Sequence, residues 1–341
     1  MIPLLKLKNR FPKEKFSVGL DIGTSTIKLV KLKFIEETVE LCGFNLESTQ
    51  TDLEPLIRRI AQSQDVKRVN ISASGSATII RYVNFPRMKE EELKQALKFE
   101  AQKHIPFSMA EVNLDGYILK QDSPDNKMLV LLAAVKKEFI NQRLKLIEEA
   151  GLTVNLVDMD SLALLNAFNF NYSDDNNVKT KTIAMLNIGA SISNLNILEG
   201  GIPCLSRDIH IAGNNFTQKL MDIFGMDFKS AEELKINPDK DRANKVASTV
   251  ESVLSNLATE LRNSFDYYES HSASTVVKIF LSGEGSQISG LKDMLANLLG
   301  IEMEYWDPLR RINISSNIET QKIKTLSVQL AVAIGLALRG S

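Results

Sequence analysis

Residues 16–33, with the sequence FSVGLDIGTSTIKLVKLK, limit the fold of this chain more than any other stretch. Residues 17–20 are mostly apolar, residues 21–26 form a polar segment, and residues 27–30 return mostly to side chains that favour β-structure. The pattern predicts a strand, a turn and a second strand.

The polar turn of this hairpin carries groups that can bind phosphate. Gly23 lets the backbone approach an anion, and the hydroxyls of Thr24 and Ser25 can donate hydrogen bonds to phosphate oxygens. Lys28 can neutralise charge, and Asp21 can hold a hydrated Mg²⁺. Many hairpins carry such a turn without binding a ligand, so this stretch alone leaves both interpretations open.

Two later stretches repeat and complete the pattern. Residues 183–198, IAMLNIGASISNLNIL, read as a strand, a polar turn at residues 187–191 and a returning strand. Residues 279–291, IFLSGEGSQISGL, read as a buried strand that opens through Gly283 and Gly285 onto a helix. In order and spacing, the three stretches resemble the phosphate 1, phosphate 2 and adenosine motifs of the ATPase superfamily that includes actin, Hsp70 and the sugar kinases.

This resemblance implies that ATP and Mg²⁺ bind between two facing hairpin loops. Asp21 takes a catalytic and metal-binding position in the first loop, and Asn187 takes the catalytic position in the second. Residues 230–235 resemble the A-E-x-[LI]-K segment of FtsA and MreB, so Glu232 and Lys235 would share a helix face and reach the ribose. An exposed ion pair would give the same spacing. The implied nucleotide-binding positions are Gly23, Thr24, Ser25, Lys28, Gly189, Ala190, Ser191, Gly213, Glu232, Lys235, Gly283, Glu284, Gly285 and Ser286.

Two residues depart from the superfamily pattern. The second phosphate loop normally opens with Asp, and an amide at Asn187 cannot act as a general base or hold hydrated Mg²⁺ by charge. The adenosine motif normally has a small residue where this chain has Glu284, whose carboxylate would crowd the nucleotide and repel its phosphates. We therefore expect Mg-ATP to bind and to be hydrolysed slowly or not at all.

Composition excludes several classes of protein. With 44% hydrophobic and 24% charged residues among 341, the chain reads as an ordinary globular protein of two domains or two similar halves. A formal net charge of −1 gives no general case for nucleic acid as a partner. Cys42 and Cys204 lie in apolar runs that favour buried free thiols, and the three histidines lack metal-ligand spacing. We find no signal peptide and no apolar run long enough to span a bilayer, which predicts a cytoplasmic location.

Between the first two motifs, the chain carries an additional unit at residues 77–150. Before it, two strands at 40–45 and 69–73 flank a helix at 52–63. The unit itself reads as β-α-β-β-α, with strands at 78–85, 113–121 and 128–135 and helices at 89–104 and 138–150. After the second motif, helices are predicted at 216–224, 230–236 and 244–270, the last being one helix or two.

Several segments resemble the PilM family of type IV pilus assembly proteins. Residues 99–107, FEAQKHIPF, are similar to the E-A-x-x-x-I-P-F signature of that family. Residues 207–209, 212–217, 261–268 and 335–339 match it as well, so the resemblance extends from about residue 16 to residue 339.

This resemblance implies an α/β protein with the actin-like ATPase fold. Two RNase H-like halves would be joined, with an inserted FtsA-type 1C (SHS2-like) β-α-β-β-α subdomain. The implied division is a basic tail at 1–15, subdomain 1A at 16–76, 151–178 and 325–341, subdomain 1C at 77–150, subdomain 2A at 179–215 and 275–324, and subdomain 2B at 216–274.

The family resemblance also implies partners. PilM would bind the N-terminal cytoplasmic tail of the membrane protein PilN and couple it to the pilus platform and motor, reaching the inner membrane peripherally through that partner. We place the peptide groove beside the inserted subdomain, at Arg81, Val83 and Phe85, because an extended peptide can add to a sheet there. An FtsA-like filament-forming ATPase and a type II secretion platform protein stay open as alternatives, as does self-association.

The first 15 residues, MIPLLKLKNRFPKEK, form a basic tail with interleaved apolar side chains. Such a tail could rest on an anionic bilayer or dock on a partner, and it could equally be a disordered leader.

Overall fold

The first predicted hairpin starts a six-stranded sheet. In the computed structural model, which describes residues 15–123 and 126–339, β1 (Lys15–Ile22) and β2 (Thr26–Ile35) pair antiparallel, with Asp21 opposite Lys28. Antiparallel β3 (Thr38–Ser48) follows, and after α1 (Leu53–Ser63) the strand β4 (Arg68–Ala73) joins β1 in parallel. The sheet is completed by β8 (Thr153–Met159) beside β4 and by β14 (Asn313–Ile314) beside β3.

A small subdomain is inserted between β4 and β8. It contains β5 (Thr78–Pro86), α2 (Glu90–Ala101), β6 (Val112–Ser123), β7 (Lys127–Lys136) and α3 (Lys137–Glu149), with the strands in the order β5-β7-β6. Phe85, Leu93, Leu97 and Met128 belong to a core of its own. The order of elements matches the predicted β-α-β-β-α unit, because the apolar positions of α2 and the alternation in its strands were both visible in the sequence.

The second half repeats the topology of the first. After α4 (Asp160–Tyr172) and α5 (Asn176–Thr180), the antiparallel strands β9 (Thr182–Ile188), β10 (Ser193–Glu199) and β11 (Ile202–Ile209) are followed by β12 (Val276–Ser282) and β13 (Glu302–Tyr305) in the order β11-β10-β9-β12-β13. The helices α6 (Gly213–Phe224), α7 (Phe228–Ile236) and α8 (Ala243–Glu269) lie between β11 and β12, and α9 (Leu291–Leu299) precedes β13. The segment predicted as one helix or two is the single helix α8.

The two sheets share one hydrophobic core. It contains residues from β2 and β3, from β9 and β12, and from α4 and the last helix, α11 (Ala331–Leu338), which follows α10 (Thr320–Leu326). Phe168 and Trp306 meet edge to face in it, with ring centroids 5.3 Å apart. The chain rejoins the first sheet at β14, which is earlier than the boundary at residue 325 in the predicted division.

The structure also bears on two smaller predictions. Cys42 and Cys204 are free thiols and are only half-buried, and burial raises the pKa of Cys204 to about 11. None of the helices within residues 15–123 and 126–339 combines the length and the apolar character needed to cross a membrane. The basic tail at residues 1–15 lies outside the described residues except for Lys15.

Candidate functional site

The first phosphate loop is a tight turn held by its own backbone. The amide of Gly23 donates to the carbonyl of Thr26 over 3.1 Å, and a Cβ on Gly23 would lie 2.8 Å from that oxygen. At the base of the loop, Lys28 Nζ lies 3.3 Å from Asp21 Oδ2, and both side chains are nearly buried. The cross-strand register explains this pair, because Asp21 and Lys28 face each other on β1 and β2.

The second phosphate loop has the same construction. The amide of Gly189 donates to the carbonyl of Ile192 over 3.1 Å, and a Cβ on Gly189 would again lie 2.8 Å from the accepting oxygen. Both loops therefore need glycine for the same reason, the close approach of the backbone to itself. The loops face each other, since the hydroxyl oxygens of Thr24 and Ser191 are 2.9 Å apart.

The adenosine-type turn packs against the second loop. Gly283 has a φ of 88°, and a Cβ there would lie 2.4 Å from the carbonyl oxygen of Ile188. The hydroxyl of Ser286 donates to the carbonyl of Gly283 over 2.7 Å and closes the turn. Glu284 points across the cleft, where its carboxylate accepts a hydrogen bond of 3.2 Å from Thr26 of the first half.

Asn187 is the second-to-last residue of β9, and both ends of its side-chain amide are hydrogen-bonded. Its amide nitrogen donates to Asn194 Oδ1 over 3.2 Å, and its oxygen accepts from Ser282 over 3.1 Å. Only 9% of Asn187 is exposed. The residue therefore lies where the motif predicts, but with both halves of its amide committed to neighbouring strands.

A cavity of about 130 Å³ lies between the loops. Of the predicted site residues, it is lined by Asp21, Gly23, Thr24, Ser25, Lys28, Asn187, Gly189, Ala190, Ser191, Gly283 and Glu284. The fold thus brings together residues from three stretches that are up to 263 positions apart, from 21 to 284. Gly213, Gly285, Ser286, Glu232 and Lys235 do not line it.

Glu232 and Lys235 instead form a cluster behind the second loop, in which Lys235 is buried and Glu232 is half-buried. Lys235 Nζ contacts Glu232 Oε1 at 2.5 Å, Thr217 Oγ1 at 2.8 Å and the carbonyl of Gly213 at 3.4 Å. The amide of Gly213 in turn donates to the carbonyl of Gly189 over 2.9 Å. In this arrangement the lysine supports the loop from behind rather than facing the cleft.

Sequence reasoning missed two charged residues of the cleft, Asp160 and Arg143. Burial and the nearby charge of Asp21 raise the pKa of Asp160 to about 7. Hydrogen bonds from Ser72 and Ser74 lower it, but by less. Burial lowers the pKa of the Arg143 guanidinium, which donates to the carbonyl of Ile22 over 3.3 Å. Asp160 could have been recognised, because it lies at the junction of a strand and a helix.

A second cavity, of about 230 Å³, adjoins the cleft. Ile79, Ile80 and Arg81 of β5 line one side, and Ser206 and Asp208 of β11 line the other. The cavity includes Arg81 but neither Val83 nor Phe85.

The expectation that Phe85 contacts a peptide needs correction. Its side chain is 1% exposed, because alternation along β5 turns it into the core of the inserted subdomain. Val83 is half-buried against the same core. Of the three predicted groove residues, Arg81 alone is exposed and lines a cavity.

The described residues contain no cluster of three or more His, Cys, Asp or Glu side chains that could hold a metal ion. Mg²⁺ bound with a nucleotide needs fewer protein ligands, because phosphate oxygens and waters complete its shell. Asp21 and Asp160 both line the cleft, so the residues present fit a Mg²⁺ held in that way.

Comparisons with known proteins agree with the fold and identify the family. The chain is 26% identical to PilM from a solved PilM-PilN type IV pilus biogenesis complex, with a TM-score of 0.84 over 95% of this chain and 98% of that one. It also resembles the ethanolamine utilization protein EutJ from Carboxydothermus hydrogenoformans in fold, at 15% identity and a TM-score of 0.56 over 97% of this chain and 92% of that one. The architecture is the actin-like ATPase fold, as the sequence motifs predicted. A sequence profile of the type IV pilus assembly protein PilM matches residues 19–341, and the chain therefore belongs to the PilM family.

Proposed function

We propose that this protein binds a PilN-type N-terminal peptide in the second cavity and Mg-ATP in the cleft, as a component of the type IV pilus assembly platform. The observation that carries the proposal is the agreement in fold, over nearly the full length of both chains, with the PilM of a PilM-PilN complex. Attachment to the membrane and to further platform and motor proteins would follow through the bound partner. In this proposal the inserted subdomain is the partner-binding unit of the predicted five-part division.

The cleft is suited to the phosphates of a nucleotide. Two glycine turns of equal construction bring the hydroxyls of Thr24 and Ser191 to one point, where they can donate to phosphate oxygens. Lys28 lines the same cavity and supplies positive charge, while Asp21 and Asp160 provide carboxylates for Mg²⁺. A nucleotide between the loops would replace the direct contact of Thr24 with Ser191 and join the two halves.

Hydrolysis is expected to be slow. Phosphoryl transfer to water depends on positioned charge and an oriented water, and losing such a group commonly costs several orders of magnitude in rate. Asn187 carries no charge, and both ends of its amide are held by Asn194 and Ser282. ATP would act mainly as a ligand that selects one arrangement of the halves.

The second cavity is suited to an extended peptide. β5 is an edge strand of the three-stranded sheet, and its residues Ile79 to Arg81 reach the cavity. An edge strand offers unpaired main-chain groups to a peptide, and the cavity adds both apolar and charged side chains.

Nucleotide binding is tested by calorimetric titration of Mg-ATP into the native protein, Lys28→Ala and a control, Lys240→Ala, whose residue is exposed and outside the cleft. We expect Lys28→Ala to weaken binding at least about tenfold, because it removes a charge-assisted contact of about 1.5–3 kcal/mol, and the control to bind normally. Single-turnover hydrolysis should be slow in the native protein. Rapid native turnover, or no binding at all, would refute this part of the proposal.

Peptide binding is tested with a synthetic peptide of the N-terminal residues of a PilN protein. Arg81→Glu should weaken binding, because Arg81 lines the cavity. Arg87→Glu is the matched control, since Arg87 is exposed, follows β5 directly and pairs with Asp122 away from the cavity. Equal affinity of the two variants would place the peptide elsewhere.

A further inference from the structure

The two cavities share a wall. Ser74, Asp160 and Asn194 line both of them. Asn194 belongs to a row of polar side chains that crosses four strands in register, with Ser282 beside Asn187, Asn187 beside Asn194, and Asn194 beside Asp208. The row starts under the nucleotide cleft and ends in the second cavity.

Each member of this amide row, defined as Ser282, Asn187, Asn194 and Asp208, is hydrogen-bonded to the next. Ser282 donates to Asn187 over 3.1 Å, Asn187 to Asn194 over 3.2 Å, and Asn194 to Asp208 over 2.8 Å. Asp208 then accepts from the backbone N–H of Gly75 over 3.2 Å. Except for Asp208, the members are at most 9% exposed.

The row is directional because of its acidic end. A carboxylate only accepts hydrogen bonds, so Asn194 must turn its nitrogen toward Asp208 and its oxygen toward Asn187. Position 187 must then offer a donor, which an amide has and a carboxylate lacks. This requirement accounts for an amide at position 187, where the superfamily motif has an acid.

The far end of the row holds the turn that enters the inserted subdomain. Gly75 lies between β4 and β5 with a φ of 72°, and a Cβ there would lie 2.9 Å from the side chain of Ile192. Ile192 directly follows the second phosphate loop and lines the nucleotide cleft. The turn is thus packed against that loop and bonded to the amide row at the same time.

We propose that Asn187, Asn194 and Asp208 are positioning residues that transmit nucleotide occupancy from the second phosphate loop to the Gly75 turn and so to the partner cavity. The inference rests on the proposed function. A nucleotide that fixes the second loop also fixes the row and the turn, which sets the position of Ile79 to Arg81 in the cavity. The coupling runs through the hydrogen bonds of the row, which join the wall of the cleft to the Gly75 turn.

Reversing the direction of the row tests the proposal. Asn187→Asp places an acceptor-only group at each end, so Asn194 can satisfy only one of them and the row breaks. Adding Asp208→Asn restores a complete row in the opposite direction. The new amide at position 208 then donates to Asn194, Asn194 donates to the new carboxylate at position 187, and the amide oxygen at position 208 accepts from Gly75. Asp208→Asn alone can also be satisfied, because the hydroxyl of Ser282 is able to accept.

The readout is hydrogen exchange of the Gly75 amide in the full-length protein, with and without Mg-AMPPNP. The analogue should slow this exchange about fivefold or more in the native protein, in line with ordinary coupling between sites. The effect should be lost in Asn187→Asp, and present in Asp208→Asn and in the double variant Asn187→Asp/Asp208→Asn. Asn187→Asp/Asp239→Asn controls for net charge, because Asp239 is an exposed residue that pairs with Arg242, and it should behave like Asn187→Asp.

The outcomes separate this inference from the proposed function. Analogue that binds the native protein without slowing Gly75 exchange overturns the inference and leaves nucleotide binding intact. The inference is also overturned if Asn187→Asp loses the effect on Gly75 exchange and adding Asp208→Asn does not restore it. The same holds if Asn187→Asp/Asp239→Asn restores the effect equally well. Asn196→Asp is a further control. Asn196 accepts a hydrogen bond of 2.5 Å from Ser206 on the adjacent strand and does not line the nucleotide cleft. In this variant the analogue should still slow the exchange of the Gly75 amide. No binding of the analogue would refute the proposed function and the inference with it.

Discussion

Glu284 is the residue whose charge opposes the proposed ligand most directly. Its carboxylate lines the cleft and accepts from Thr26, so it lies across the space between the two halves. We expect Glu284→Ala to bind Mg-ATP about 3–10-fold more tightly, because one like charge near the phosphates is worth roughly 1 kcal/mol at a solvated site. Calorimetric titration measures the change, and Glu284→Gln separates charge from size. Weaker binding by both variants would show that the carboxylate contacts the nucleotide favourably.

Asp160 makes the stability of the ligand-free protein depend on pH. Its pKa is about 7 in the folded protein, against 3.8 for the unfolded group, so between these values the folded state retains a proton that the unfolded state has lost. The stabilising contribution of this group is therefore complete below pH 3.8 and is lost as the pH rises through about 7.

The matching prediction concerns Asp160→Asn, which cannot ionise. As the pH rises from 5 to 8, the native protein loses stability and the variant does not. The stability of the variant relative to the native protein should therefore increase by up to about 3 kcal/mol, since each unit of pKa shift corresponds to about 1.4 kcal/mol. Urea unfolding at the two pH values measures the difference. An equal difference between the two proteins at both pH values would contradict the assigned pKa.

At the scale of elements, local patterns predicted most of the fold. The two hairpins, the inserted unit and the helix α8 all carry their signals within short stretches. β11 escaped prediction because Pro203 and the polar run from Ser206 to Asp208 interrupt its pattern, which is tolerated since β11 is an edge strand. β14 is two residues long and exists only through its pairing with β3.

The part of the candidate site that lies in short motifs could also be predicted from the sequence. Both glycine loops and Asn187 carry motifs, so their positions followed from the sequence. The roles of Asp160 and Asp208 depend on which strand ends meet in space, and that information is distributed over the whole chain. The buried setting of Lys235 was likewise invisible, because the same spacing fits an exposed ion pair.

The contact of α4 with α11 gives a prediction at this scale. A Cβ on Gly335 of α11 would lie 1.8 Å from the carbonyl oxygen of Ala163 on α4, so the helices meet backbone to backbone. Gly335→Ala should destabilise the protein by about 1–3 kcal/mol through overpacking, although alanine is the better helix former. Gly116→Ala is the control, because the three atoms nearest to its Cβ would all belong to the flexible side chain of Leu97. Thermal unfolding compares them, and equal losses of stability would argue against a rigid contact.

For the whole molecule, the shared core predicts that the two halves unfold together. Trp306 is the only tryptophan in the sequence, is fully buried and lies in the core that both sheets contribute to. Its fluorescence should change in a single urea transition that coincides with the main transition in far-ultraviolet circular dichroism. If the ellipticity of one of the two halves were lost while the emission of Trp306 stayed unchanged, the halves would unfold independently.

The wall common to both cavities has a consequence for how tightly a nucleotide is held. Coupling between two sites is reciprocal, so a nucleotide that changes peptide affinity by some factor obliges the peptide to change nucleotide affinity by the same factor. With Asn194 and Asp160 facing both spaces, the partner's tail would shift the affinity of the cleft for its nucleotide. The nucleotide affinity measured on the protein alone would then differ from that of the protein with its partner bound.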